Sequence, residues 1–73
     1  MIVEGIEVSE NIVAKAVANI RSHDRFVYLR LQSELIECGC HPSAAYRAAD
    51  RVLQRLRKQG QIAFRKQAWE WIQ

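Results

Sequence analysis

Between Ser43 and Gln67 the chain carries seven cations and a single acid, Asp50, in a pattern that admits few structures. At about 100° per residue, Ala45, Ala49, Val52, Leu53 and Leu56 fall on one side, and Arg47, Arg51, Gln54 and Lys58 on the other. The spacing predicts an amphipathic helix of about four turns. It is small near its start, where alanines permit close approach to a neighbour, and leucine-rich near its end. Pro42 or Ser43 opens it, because proline suits a first helical turn and disfavours helix at the preceding His41. Gly60 stops it. Gln61-Ile62-Ala63-Phe64-Arg65 then alternates as a half-buried strand, Lys66-Gln67-Ala68 turns the chain, and Trp69-Glu70-Trp71-Ile72 alternates again. A two-stranded hairpin is marginal alone, so Ile62, Phe64, Trp69 and Trp71 are expected to pack on helices.

Upstream, Ser9 followed by Glu10 reads as a helix start, the hydroxyl capping free amides and the carboxylate favoured by the dipole. Ile12, Val13, Ala16, Val17 and Ile20 recur at helical spacing, which predicts a first helix over residues 9–21, broken by Ser22-His23-Asp24. Leu31, Leu35 and Cys38, with Glu34 and Glu37 outward, predict a second helix covering at least Leu29 to Cys38, with Gly39 as its cap. Phe26, Val27 and Tyr28 fit either a short strand or that helix's first turn, and the residues leave both open. Residues 1–8 fit a short strand or an arm.

A chain of 73 residues supports one domain. Only about 60% of its unfolded surface can be buried in folding, so dimerisation or a partner would help it. Its apolar and charged fractions, 49% and 26%, are those of an ordinary globular protein. No apolar run approaches the ~20 residues of a bilayer span, and no charged start precedes an apolar core as in a signal peptide. A soluble cytoplasmic protein is the expectation. Cys38 and Cys40, separated only by Gly39, would close a strained loop, so free thiols are expected, Cys38 buried and Cys40 exposed.

The charge is divided along the chain. Residues 1–24 hold two cations against four carboxylates, and residues 25–73 hold nine against four. The second block would attract phosphate, an anionic surface or an acidic protein.

The order helix, helix, short turn, basic helix, hairpin resembles the winged helix-turn-helix family over roughly residues 9–73. The most telling piece is Arg51-Val-Leu-Gln-Arg-Leu-Arg-Lys-Gln-Gly-Gln-Ile62, followed by Phe64 and Trp69. The resemblance implies a mainly α, α+β fold of three helices and a C-terminal β-hairpin. It also implies binding of double-stranded DNA by a small transcriptional regulator or an architectural, recombination-accessory factor, nucleoid-associated in the cytoplasm and read as a homodimer. Such compact single modules are often phage or prophage proteins. The wing here is short, with few residues between Arg65 and Trp69.

Mapped residue by residue, the third helix would be the recognition helix. Ser43, Ala44, Tyr46, Arg47, Asp50 and Arg51 would point toward bases, and Gln54, Arg55 and Lys58 would suit phosphates. Arg47 and Arg51, one turn apart, would each offer a guanine edge a forked pair of hydrogen bonds, provided they stand free. Asp50 repels phosphate unless it pairs with one of them. Arg65 and Lys66 would be wing cations. If all seven cations reached phosphate, affinity would fall roughly 10³-fold or more between low and moderate salt.

A second reading, from another class, is a protein-interaction module or a phage-encoded inhibitor that binds an acidic host protein through the same basic and aromatic surface. Membrane-surface attachment by the cationic helix is a weaker third option, because its apolar face is needed for the core, and no membrane partner is expected. Two cysteines and two histidines fall short of a zinc site at ordinary spacing, so neither metal nor cofactor is expected. A Gly-rich phosphate loop, a nucleophile–base pair and converging carboxylates are all missing, so enzymatic chemistry is not expected either.

Overall fold

A computed structural model describes residues 1–72. The element order is β1 (Ile2–Val3), β2 (Ile6–Glu7), α1 (Glu10–Arg21), β3 (Arg25–Phe26), α2 (Tyr28–Glu37), α3 (Pro42–Lys58), β4 (Ile62–Arg65) and β5 (Ala68–Trp71). The result is a small α+β domain of three helices with two small antiparallel sheets. One sheet is the β1–β2 hairpin; the other has three strands in the order β3-β5-β4.

Helices α1 and α3 begin where a side chain can satisfy a free amide. The Ser9 hydroxyl accepts from Ile12 N at 3.2 Å. At α3, His41 Nδ1 accepts from Ser43 N at 3.1 Å, with Pro42 in the first helical position. Helix α2 is different: Val27 precedes it with no side-chain cap, and its first turn carries no acid. The ambiguous trio is divided between structures. Phe26 is strand, Val27 is the cap residue and Tyr28 opens the helix, because Phe26 pairs with Trp69 across the sheet. Gly60 takes φ +72°, a left-handed conformation that glycine adopts without steric strain, and so α3 ends before it.

The interior is one cluster to which every helix contributes. Val13, Ala16 and Ile20 come from α1, and Leu31 and Leu35 from α2. From α3 come Ala44, Ala45, Ala48, Ala49, Val52, Leu53 and Leu56. The four α3 alanines are fully buried, so α3 approaches α2 closely where its side chains are smallest. Residues 1–8 form a hairpin anchored in this core by Val3 and Val8, each 1% exposed. Trp69 and Trp71 are half-buried against the cluster, and Trp71 meets Phe26 at 5.6 Å between ring centroids.

Three expectations change. Ala44 points into the core rather than outward, because it lies on the α2-facing side of α3. Phe64 is 60% exposed instead of packed on the helices: it sits toward the hairpin's tip, beyond the reach of the core, and touches Trp69 edge-on at 5.2 Å. The cysteines are reversed. Cys40 is 4% exposed and Cys38 only half-buried, because the connector to α3 turns Cys40 inward; both thiols are free.

Candidate nucleic-acid interface

The outward face of α3 carries Ser43, Tyr46, Arg47, Asp50, Arg51, Arg55, Arg57 and Lys58, all exposed, with Gln54 partly so. It is not uniform. One edge is occupied by other parts of the chain. Arg47 Nε lies 3.1 Å from Glu4 Oε1, at the tip of the β1–β2 hairpin. Arg51 Nη1 donates to the Ile2 carbonyl at 3.1 Å, and Arg55 Nη1 donates to Glu10 Oε1 at 3.1 Å. The expectation that Arg47 and Arg51 stand free is therefore corrected. Residues three to four apart form a stripe along a helix, and this stripe meets the acidic N-terminal segment. Arg47 is still 63% exposed, so its pair with Glu4 is a surface contact.

The Arg55 guanidinium beside Glu10 is also what holds the Glu10 carboxyl below its ordinary range. Farther round the helix, Arg57 donates from Nε and Nη2 to Gln54 Oε1 at 3.3 and 2.9 Å. Tyr28, at the start of α2, donates its hydroxyl to the Tyr46 carbonyl. Desolvation pushes the Tyr28 phenol above its usual pKa, so it remains the protonated donor. Tyr28, Tyr46, Arg47 and Asp50 together line an open recess of about 430 Å³.

A second cleft, of about 500 Å³, is lined by His23, Arg25, Phe26, Val27, Arg30, Lys66, Gln67 and Ala68. It has three permanent cations and no carboxylate in its wall. None of Arg25, Arg30 and Lys66 pairs with an acid among the described residues. The uncapped amides that open α2 adjoin it at Val27. Arg25 builds the floor as well as the charge: its Nη2 donates to the carbonyls of Arg65 and Lys66 at 3.0 and 3.1 Å, tying the β4–β5 turn to β3. The turn is two residues, Lys66 and Gln67, both at positive φ, and Ala68 already belongs to β5.

Of the residues expected at the interface, Ser43, Tyr46, Asp50 and Gln54 stand together on α3 and Arg65 and Lys66 lie at the hairpin's tip. Lys58 is exposed at the far end of α3. Arg25 and Arg30 escaped the sequence reading because they lie outside the dense basic block. One signal was present for Arg30: it sits in the first turn of a helix that has no acid there. Arg25 joins the cleft only through the pairing of β3 with β5.

Among the described residues no three His, Cys, Asp or Glu side chains gather as metal ligands, and no helix is long and apolar enough to cross a membrane. No family model, curated protein or solved structure matches the chain.

Proposed function

We propose that the chain is a winged-helix module that binds double-stranded DNA across α3, the start of α2 and the β4–β5 hairpin. The observation that carries this reading is the acid-free cationic cleft of Arg25, Arg30 and Lys66, whose lining residue Val27 is followed in the chain by Tyr28, a wall of the recess at Tyr46, Arg47 and Asp50 on α3. Cations with no carboxylate partner are the groups whose counterions and water a phosphate backbone can displace. The strand order supports the winged-helix reading, since a short strand between the first two helices pairs with the last strand of the hairpin.

In this reading Arg25, Arg30, Lys66 and Arg65 hold phosphates, with Lys58 at the other end of α3. Ser43, Tyr46, Asp50 and Gln54 face the groove. Arg47 joins them when a ligand takes it from Glu4, while Arg51 and Arg55 serve the fold first. Phosphate contacts position and base contacts specify, so sequence preference rests on few side chains. A small regulator or an architectural factor fits that economy.

The test is fluorescence anisotropy with a mixed-sequence duplex, comparing wild type with the triple variant Arg25→Ala/Arg30→Ala/Lys66→Ala. With about five phosphate contacts, wild-type affinity falls roughly 500-fold between 50 and 200 mM salt, and the variant shows a shallower slope by about 0.9 per lost contact. Absence of binding to any duplex, or a variant indistinguishable from wild type, would sink the proposal. Binding of an acidic protein in place of DNA would favour the interaction-module reading, to which the exposed Leu29 and Tyr46 beside the cleft are suited.

A further inference from the structure

Alternation along β4 and β5 sets Ile62, Phe64, Trp69 and Trp71 on one face of the three-stranded sheet. Cross-strand pairing then lines up three aromatic side chains, one from each strand. Phe26 of β3 lies opposite Trp69 of β5, and Trp69 lies opposite Phe64 of β4. Directly opposed residues share a face, so the three form a row that runs outward from the core. Phe26 is buried, Trp69 is half-buried against the core cluster, and Phe64 is exposed. The Phe64 ring meets Trp69 at 5.2 Å between centroids, with 66° between the planes. An edge-on contact of this kind covers at most one face of the Phe64 ring.

The charge around this ring is of one sign. Arg65 and Lys66 follow Phe64 directly, and neither pairs with an acid among the described residues. The sheet's one carboxylate, Glu70, lies on the opposite face, across from Arg25 and Ala63. Phe26, at the inner end of the row, is itself a wall of the cationic cleft.

We infer that the open face of Phe64 stacks on an unpaired base of bound DNA while Arg65 and Lys66 hold the adjoining phosphates. The inference deepens the DNA reading, on which it rests for those phosphate contacts. An exposed ring beside unpaired cations complements a flat π surface joined to an anion, and a nucleotide is both. Carboxylates alone would satisfy the cations and leave the ring in water. Aromatic side chains beside a positively charged groove hold single strands because every base has a π-face. Within a stacked duplex that face is covered by the neighbouring base pairs, and only base edges reach the grooves. The ring is therefore matched to a base at a bulge, a gap or a strand end. Stacking tolerates any base, so the hairpin selects the structure of the DNA rather than its sequence.

The experiment is fluorescence anisotropy at several salt concentrations with two labelled probes, a fully paired duplex and the same duplex carrying a thymine bulge. Wild type is expected to bind the bulged probe roughly 5- to 150-fold more tightly, the contribution of one stacked base. Phe64→Ala is expected to lose that preference and to keep wild-type affinity for the paired probe. On each probe its salt slope should match that of wild type, because the ring holds no phosphate. Phe64→Trp should retain the preference. Phe64 lies outside the core, and circular dichroism checks that both variants fold. A preference that survives Phe64→Ala, or an equal loss of affinity for both probes in that variant, overturns the inference. Salt-dependent binding of both probes without preference sinks it and leaves the DNA reading standing. Binding of the bulged probe alone keeps the stack and sinks the duplex reading, and binding of neither probe sinks both.

Discussion

Glu4 Oε1 lies 3.1 Å from Arg47 Nε, so the tip of the N-terminal hairpin holds an arginine that α3 would otherwise present to solvent. The hairpin does not swing freely, because Val3 and Val8 anchor it in the core. Glu4 is thus a fixed internal competitor for any anion that approaches Arg47. Replacing it with Gln removes the competitor and leaves the hairpin's shape. The pair is exposed, so Glu4→Gln is expected to change stability by no more than about 1 kcal/mol. Affinity for duplex DNA is expected to rise, and the slope of log K against log salt to steepen by up to about 0.9, one phosphate contact. Anisotropy titrations at several salt concentrations measure both. Unchanged affinity and slope would mean that Arg47 takes no part in binding.

Glu10 and Arg55 make the corresponding contact between α1 and α3, and this one has a pH signature. The hydrogen bond from Arg55, reinforced by its charge, lowers the folded-state pKa of Glu10 from the ordinary 4.5. A carboxylate with a depressed folded pKa contributes stability that is present above its unfolded value and lost as pH falls through the folded one. Wild type is therefore expected to melt at a higher temperature than Glu10→Gln at pH 6. The difference should shrink as pH drops below about 4.5. Thermal melts of both proteins between pH 3 and pH 7 check this. A constant gap across that range would contradict it.

The turn at the hairpin's tip is a place where the chain gives up stability. Lys66 and Gln67 take φ +52° and +64°, a region in which an L side chain crowds its own carbonyl. Such a conformation costs about 1–2 kcal/mol per residue, and glycine escapes it at an entropic cost of about 0.5–1 kcal/mol. Gln67→Gly is expected to stabilise the domain by about 0.5–1 kcal/mol, raising Tm by roughly 2–8 °C in a chain this short. Lys66 keeps its cation in that variant, so DNA binding should be preserved. A lower Tm would mean that the Gln67 side chain makes a contact worth more than the strain.

Much of this architecture was legible in local pattern. Ser9, Pro42 and Gly60 marked ends that the structure keeps, because caps and stops act within one turn of chain. What stayed hidden depends on partners far apart in sequence. The periodicity of α3 put Arg47 and Arg51 on its outer side, but not Glu4 and Ile2 across from them, nor Glu10 across from Arg55. Phe26 could not be assigned because its strand exists only through pairing with Trp69. The cationic cleft was illegible for the same reason: Arg25 meets the hairpin's tip through hydrogen bonds to the Arg65 and Lys66 carbonyls, some forty residues away. Burial of Cys40 rather than Cys38 follows from how the connector enters α3, which composition does not encode.

That reversal of the cysteines can be read chemically. Burial pushes the Cys40 thiol above its ordinary pKa, so both access and thiolate character are low. Cys38 is half-buried and lies within 3.8 Å of Asn19 Nδ2 on the surface. Because the thiolate is the nucleophile, iodoacetamide at pH 8 is expected to modify Cys38 first in the folded protein. Cys40 should react only on opening, and both should react in denaturant. Peptide mass mapping over time distinguishes the two sites. Equal rates in the folded state would mean that the connector opens freely.

The four buried alanines of α3 supply the strictest test of the packing. Ala44, Ala45, Ala48 and Ala49 are each fully buried, and an interior at crystal-like density has no room for added methylenes. Ala48→Leu would force α3 away from its neighbours, at about 1–3 kcal/mol. A domain of this length has about 4–11 kcal/mol in all, so the loss is a large fraction of its stability. The opposite change, Leu35→Ala on α2, removes a side chain that is also wholly buried and costs about 2–5 kcal/mol. If α2 and α3 close on each other as tightly as the alanines imply, both variants lower the urea midpoint with little change in m. An Ala48→Leu protein as stable as wild type would show that the helices are spaced wider than these side chains require.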